Sequence, residues 1–163
     1  MTNSKTILMN TIATPMQNDI YIRLMTEEDL EAVAAVEQEC FADPWSPAML
    51  AFLLNEPNFA FCAELSGEIV GYIGMQSVPY EGQITDIAVK PAFRRRGIAN
   101  ELLSAALDRA RKDALQMIFL EVRVSNLPAI SLYEHFGFET VGTRRNFYAH
   151  PREDAYNMRL LLS

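Results

Sequence analysis

Apolar residues along this chain recur with two periods, and the switches between them predict its elements. Ile20–Leu24 alternates as a first strand. Thr26 with Glu27, Glu28 and Asp29 has the composition of a helix start, Thr26 as N-cap and acids in the first turn. Leu30, Val33, Ala34 and Val36 carry that helix to about Phe41 as a stripe at helical spacing, with Glu37 beside it. Asp43-Pro44-Trp45-Ser46-Pro47 breaks it, and Ser46 with Pro47 opens a second helix to about Leu54. Phe59–Leu65 and Glu68–Val78 flank Ser66-Gly67, the pattern of a β-hairpin. A strand over 83–89 stops at Lys90-Pro91. Ile98, Leu102, Leu103, Ala106, Leu107 and Ala110 then share one face of a helix over 98–113, whose last turn is basic as its dipole favours. Residues 117–124 form another strand. Asn126 and Pro128 open a shorter helix that stops at Gly137, and 138–148 and 155–162 close the chain as two strands.

The strand ending at Val89, the helix from Gly97 and the strand over 117–124 make one βαβ unit, right-handed and therefore parallel. The hairpin before it is antiparallel. The expected fold is α/β: a mixed, mostly antiparallel sheet of six to seven strands, a central parallel βαβ unit, and about four helices on its faces. Residues 1–18 show no sustained periodicity and are expected to form a disordered extension, leaving 19–163 as one domain.

Composition narrows the classes. Half of the 163 residues are hydrophobic, as in ordinary globular domains, and the net charge of −7 argues against a general nucleic-acid binder. The same charge suits a basic protein or peptide partner. No apolar run approaches a membrane span, and Ile7-Leu8-Met9 with one lysine is too little for a signal peptide. Cys40 and Cys62 make no disulfide framework, so reduced thiols in a cytoplasmic protein are expected. His135 and His150 lack metal-ligand spacing, and no Ser/His/Asp or Cys/His arrangement offers a nucleophile.

Candidate chemistry gathers between Ile84 and Ala99. A strand, the basic loop Arg94-Arg95-Arg96-Gly97 and a helix start describe a phosphate cradle. Gly97 lets backbone approach a ligand, the first helical N–H groups lack partners, and arginine suits phosphate oxygens. A solvated basic turn or the edge of a nucleic-acid patch are the alternatives. The pattern is neither a P-loop nor a dinucleotide fingerprint. Along 117–124, Ile118, Leu120, Val122 and Val124 share a core face, and Met117, Phe119, Glu121 and Arg123 share the other. Glu121 mid-strand is either a base whose pKa desolvation raises, or a partner of Arg123 on a wet face. Tyr133 reads as a core tyrosine with a satisfied hydroxyl, and Asn126 as an N-cap.

Taken together, these residues resemble the GNAT-type acyl-CoA-dependent N-acetyltransferases. Arg94-x-x-Gly97-x-Ala99 is similar to that family's coenzyme A pyrophosphate motif, with Ala99 where many members have Gly, and Ile87-Ala88-Val89 resembles the strand that pairs with the pantetheine arm. Asp43-Pro-Trp-Ser46, Leu120-Glu-Val-Arg123, Ser125-Asn126, Leu132-Tyr133, Phe136-Gly-Phe138, Arg145-Asn-Phe-Tyr148 and Glu153-Asp-Ala155 resemble the bacterial branch that acetylates the N-terminal alanine of a small-subunit ribosomal protein. The likeness runs from about Ile20 onward. Phe147 stands where a tyrosine is usual, and Asp86 where Asn is frequent.

The resemblance implies roles. Glu121 would be the general base and Tyr133 the general acid. Ile87, Ala88, Val89, Arg94, Arg95, Arg96, Gly97, Ile98, Ala99 and Asn126 would hold acetyl-CoA. Trp45, Tyr148, Glu153 and Asp154 would lie on the acceptor side, although Glu153 and Asp154 also fit a solvated turn. The implied partners are acetyl-CoA and the N-terminus of a basic small-subunit ribosomal protein, with no metal, no direct nucleic-acid binding and no membrane. The alternatives are an acetyltransferase of another N-terminus, a lysine or a small amine, and a non-catalytic module binding acyl-CoA or nucleic acid. Asp86 is the rival for the base.

Overall fold

A computed structural model describes residues 19–162. The extension expected over 1–18 lies outside the described residues. Seven strands, β1 Ile20–Leu24, β2 Phe59–Leu65, β3 Glu68–Val78, β4 Glu81–Val89, β5 Met117–Arg123, β6 Glu139–Ala149 and β7 Arg152–Leu161, form one sheet in the order β1-β2-β3-β4-β5-β7-β6. Every pairing is antiparallel except β4 with β5. The expected α/β mixed sheet is therefore what forms, with helices α1 Leu30–Cys40, α2 Pro47–Leu50, α3 Ile98–Lys112 and α4 Leu127–His135. No helix among the described residues is long and apolar enough to cross a membrane.

Alternation along each strand sorts the core into two layers. The apolar stripe of α3 packs with Val70, Ile73, Ile118, Leu120 and Val122 on one face of the sheet. Val33 and Val36 of α1, with Leu50 and Leu53, pack with Cys62, Tyr72 and Ala88 on the other. At about 25 cal/mol per Å² of apolar area removed from water, these layers supply most of the drive to fold. The hairpin turn forms as the Ser66-Gly67 pattern requires, with φ of 51° and 81°.

Thr26 is the N-cap with acids in the first turn, as expected, but that first turn is not yet α-helical. Glu27–Asp29 is a single 3-10 turn before α1. The cause is the Asp29 carboxylate, which accepts from the Thr26 N–H at 2.8 Å and from both Arg23 guanidinium nitrogens at 2.8 Å. Arg23 holds the Asp29 carboxyl down at about 2. A carboxyl lowered on folding contributes stability that is present above its unfolded value and lost as pH falls toward the folded one. The thermal midpoint is therefore expected to drop between about pH 4 and pH 2, and Asp29→Asn to flatten that part of the profile while lowering the midpoint at neutral pH. A differential scanning series on both proteins checks this.

One departure from a regular sheet matters for the site. β4 and β5 pair only through Glu81↔Met117, Gly82↔Ile118 and Gln83↔Phe119. Across β4, Ile73 faces Ile87 but Met75 faces Ile84, so Thr85 and Asp86 together oppose Gly74. Such a bulge bends its strand. Beyond Gln83, β4 leans away from β5 and the sheet forks.

Candidate active site

The fork leaves half of a β-ladder open. The Lys90 N–H bonds to the Val70 carbonyl on β3, and Ala88 lies opposite Tyr72 in that ladder. By the two-residue alternation of a strand, the N–H groups of Ile87 and Val89 point the other way, into the fork. A cleft of about 700 Å³ occupies that space, lined by Ile87, Ala88 and Val89 on one side and by Asn126, Ala129 and Tyr133 on the other.

Its far end is the arginine loop. Arg95 and Gly97 sit at φ of 66° and 77°, and a Cβ at Gly97 would meet nothing within 4 Å. The first bond inside α3 runs from the Glu101 N–H to the Gly97 carbonyl, so the N–H groups of Ile98, Ala99 and Asn100 have no partner within the helix. With the positive end of the helix dipole behind them, they lie where a phosphate cradle is expected. The three arginines differ. Arg94 Nε donates to the Val89 carbonyl at 2.9 Å and steadies the strand end. Arg96 lies 5.4 Å over the Phe93 ring, and Arg95 is exposed. Asn126 caps α4 by accepting from the Ala129 N–H at 3.2 Å, as its N-cap reading predicts, and it also lines the cleft. Cys40, which the sequence marks only as a reduced thiol, lines the cleft too, donating to the Val89 carbonyl at 3.4 Å.

Glu121 stands two residues beyond the last β4–β5 pair, inside the fork, on the sheet face away from α3. Neither the wet face nor Arg123 takes it. Its carboxylate accepts from Gln83 Nε2 and pairs with Arg144 Nε at 3.3 Å, and its side chain is 14% exposed. Gln83 and Arg144 are functional candidates that pattern reading missed, since each lies far along the chain from Glu121. Arg123 instead donates to the carbonyls of His150 and Pro151 and to Glu153, and covers the Tyr148 ring at 4.2 Å. It clamps the β6–β7 turn and so sets Tyr148, whose hydroxyl burial pushes up to about 12.

Tyr133 is 5% exposed, with its ring 5.7 Å from Phe138. Burial foremost, then the Asp86 and Tyr148 charges, raise its hydroxyl well above the usual tyrosine range, so it stays protonated. Glu153 and Asp154 have internal partners. Glu153 accepts from the Ser125 N–H at 2.8 Å, and Ser125 and Arg123 hold its carboxyl below the usual range. Asp154 accepts from the Asn146 N–H at 2.8 Å. Trp45 sits partly buried in the loop between α1 and α2, its main-chain N–H donating to Glu37 Oε1 at 2.8 Å. That loop touches the β6–β7 turn through Asp43 and His150 Nδ1 at 3.0 Å, so two walls meet over the face that carries Glu121.

The chain matches the acetyltransferase (GNAT) family over residues 22–138. It is similar to the N-alpha-acetyltransferase RimI of Mycobacterium tuberculosis, 37% identical over 147 residues that span 86% of this chain and 91% of that protein. Its fold is similar to the crystal structure of the ribosomal-protein-S18-alanine N-acetyltransferase from Escherichia coli, with a TM-score of 0.83 at 35% identity over 89% of this chain and 95% of that one. The NatC complex bound to Gag peptide and CoA also contains a similar chain, with a TM-score of 0.77 at 25% identity over 89% of this chain and 99% of that one. A forked sheet, a cradle at the head of α3 and a family match across most of the described residues lead to one conclusion: this chain belongs to the GNAT family of N-acetyltransferases.

Proposed function

We propose that residues 19–163 act as one domain that transfers an acetyl group from acetyl-CoA to the α-amine of an N-terminal alanine on a small-subunit ribosomal protein. The observation that carries this reading is the fork between β4 and β5, which offers strand N–H groups, the cradle and Glu121 to one extended ligand and one amine. The name of the Escherichia coli structure supports the acceptor, and the net charge of −7 suits a basic one.

In this reading the cradle at Ile98–Asn100, with Arg94 and Arg95 of the cleft wall and Arg96 beside them, holds the diphosphate, and the open edge at Ile87 and Val89 pairs with the pantetheine amides. Acetyl-CoA supplies the thioester. Glu121 takes a proton from the acceptor ammonium, directly or through a water, and its bonds to Gln83 and Arg144 fix its direction. The freed amine attacks the thioester carbonyl, whose oxygen the Val89 N–H polarises. As the C–S bond breaks, Tyr133 gives its proton to the departing thiolate, and the second proton released by the attacking nitrogen as it becomes the amide restores the Tyr133 hydroxyl by way of solvent. An α-amine has a pKa of about 8, so roughly a tenth is already neutral at pH 7 and orientation supplies much of the rate. Trp45 and Tyr148 wall the acceptor groove, and Glu153 and Asp154 shape its rim by holding Ser125 and Asn146.

The test is mass spectrometry of an Ala-starting, Arg-rich peptide incubated with the protein and acetyl-CoA. One added acetyl group, located at the α-amine by fragmentation, is the expected result. Parallel incubations with Met- and Ser-starting peptides, an N-blocked lysine peptide and polyamines decide the acceptor. Acetylation of those in preference to the alanine peptide would overturn the substrate while leaving the reaction. The M. tuberculosis relative's broader name, N-alpha-acetyltransferase, supports other protein N-termini as the second reading.

A further inference from the structure

Arg144 reaches Glu121 across a whole strand, because β7 lies between β5 and β6 in the sheet. Arg144 is in register with Ala155 of β7, and Glu121 with Asn157. The guanidinium arm therefore crosses β7 diagonally, between the small, fully buried Ala155 and Asn157. Residues directly opposite each other in antiparallel strands share a face, so Asn157 stands beside Glu121. On its other side Asn157 faces Gly142, which offers no side chain. The Asn157 Oδ1 is buried and has no hydrogen-bond partner within the protein. A buried acceptor left in that state is costly, and each such atom calls for an explanation.

We propose that Glu121 Oε1 and Asn157 Oδ1 together form the seat of the acceptor ammonium, and that Arg144 keeps this seat in the empty protein. The inference deepens the proposed function and rests on Glu121 being the base. An ammonium carries three N–H donors, enough for both oxygens. The Arg144 Nε–H is one donor and serves Oε1 alone, at 3.3 Å. Two cations on one carboxylate repel, so guanidinium and ammonium compete for Oε1.

Arg144 has room to give way. Its side chain is 55% exposed, against 14% for Glu121, and its Cζ already lies 5.9 Å from the Phe147 ring. That aromatic face offers the displaced guanidinium a second place. Gln83 keeps its bond to Oε2 meanwhile, so the carboxylate stays directed while Oε1 changes partner. The ammonium then gives one proton to Glu121, and the amine left behind still donates to Asn157. Displacing Arg144 opposes acceptor binding, so its removal should tighten the acceptor. A side chain that only positioned Glu121 would have the opposite effect.

NMR of the arginine Nε–H groups in the full-length protein tests this, with the Arg144 resonance identified by its loss in Arg144→Lys. Glu121→Ala should move that resonance toward those of exposed arginines. Adding the alanine peptide with coenzyme A should do the same, and the peptide already acetylated at its α-amine should not. In kinetics, Arg144→Ala should lower the acceptor KM about fivefold with kcat within about twofold, the upper range for a half-exposed ion pair. Arg144→Lys keeps a cation and should hold the parental KM. Arg145→Ala removes an equal charge one position on and should leave KM within about twofold, which separates the seat from general attraction of a basic peptide. Asn157→Ala should raise KM about tenfold, as for a lost hydrogen bond to a charged group. A resonance the peptide leaves in place, a KM that rises or holds in Arg144→Ala, or an unchanged KM in Asn157→Ala each overturns the proposal. If another amine proves to be the acceptor, it replaces the alanine peptide as probe, and only the substrate assignment fails. If Glu121→Ala leaves the resonance in place, the seat fails whatever the acceptor.

Discussion

Glu121→Gln is expected to lower kcat by about 10² to 10⁴, the range for loss of a general base, while coenzyme A binding measured by calorimetry stays within about twofold. The geometry sets the first half of that expectation. Gln83 and Arg144 both donate to Glu121, so an amide keeps the side chain in place but cannot accept the ammonium proton. One of those donors also loses its acceptor, because an amide offers a single oxygen. The second half follows from position: Glu121 is not among the residues lining the cleft that runs to the cradle. A Gln variant that retains parental turnover while Asp86→Asn loses it would move the base to Asp86 and sink the assignment.

Gly74→Ala should have the largest effect on folding. Gly74 lies opposite the β4 bulge, and a Cβ there would stand 2.7 Å from Leu53 Cδ1 and closer still to Thr85 Oγ1. Leu53 is fully buried and Thr85 is fixed by the bulge, so neither can retreat without opening a gap elsewhere. Overpacking of this kind costs about 1–3 kcal/mol, which for a domain of this length lowers the melting midpoint by roughly 3–10 °C. Circular dichroism melts of the two proteins measure it. An unchanged midpoint would mean that the bulge repacks freely, and its hold on Asp86 and Ile87 would then be looser than described.

Local pattern made much of this fold readable. The Ser66-Gly67 hairpin, the apolar stripe of α3 and the N-cap at Asn126 are each written within a few neighbouring residues. The face of Glu121 was readable too, from strict alternation along β5. Its partners were not, because Gln83 is 38 residues away and nothing in either segment marks the other. Glu37 reads as one more position beside a helical stripe, although its donors, the Trp45 main-chain N–H and the Tyr72 hydroxyl, come from a loop and a strand. The run of arginines does not tell its members apart, and only the structure shows Arg94 Nε bonded to the Val89 carbonyl while the residue also lines the cleft. The fork itself escaped the pattern because a bulge leaves hydrophobicity unchanged and is fixed by packing across the sheet. Residues 1–18 lie outside the described part of the chain.

The fork also bears on solubility. A strand whose N–H and C=O groups lack a partner is a template for any extended chain, and most sheets confine that hazard to their two outer margins. Here Ile84–Val89 places a third such margin in the middle of the sheet. What protects it is shape and charge: the segment is short, recessed between β5 and α4, and ends against Arg94, Arg95 and Arg96. A ligand seated there would both complete the sheet and cover the stretch most prone to pairing with a second copy.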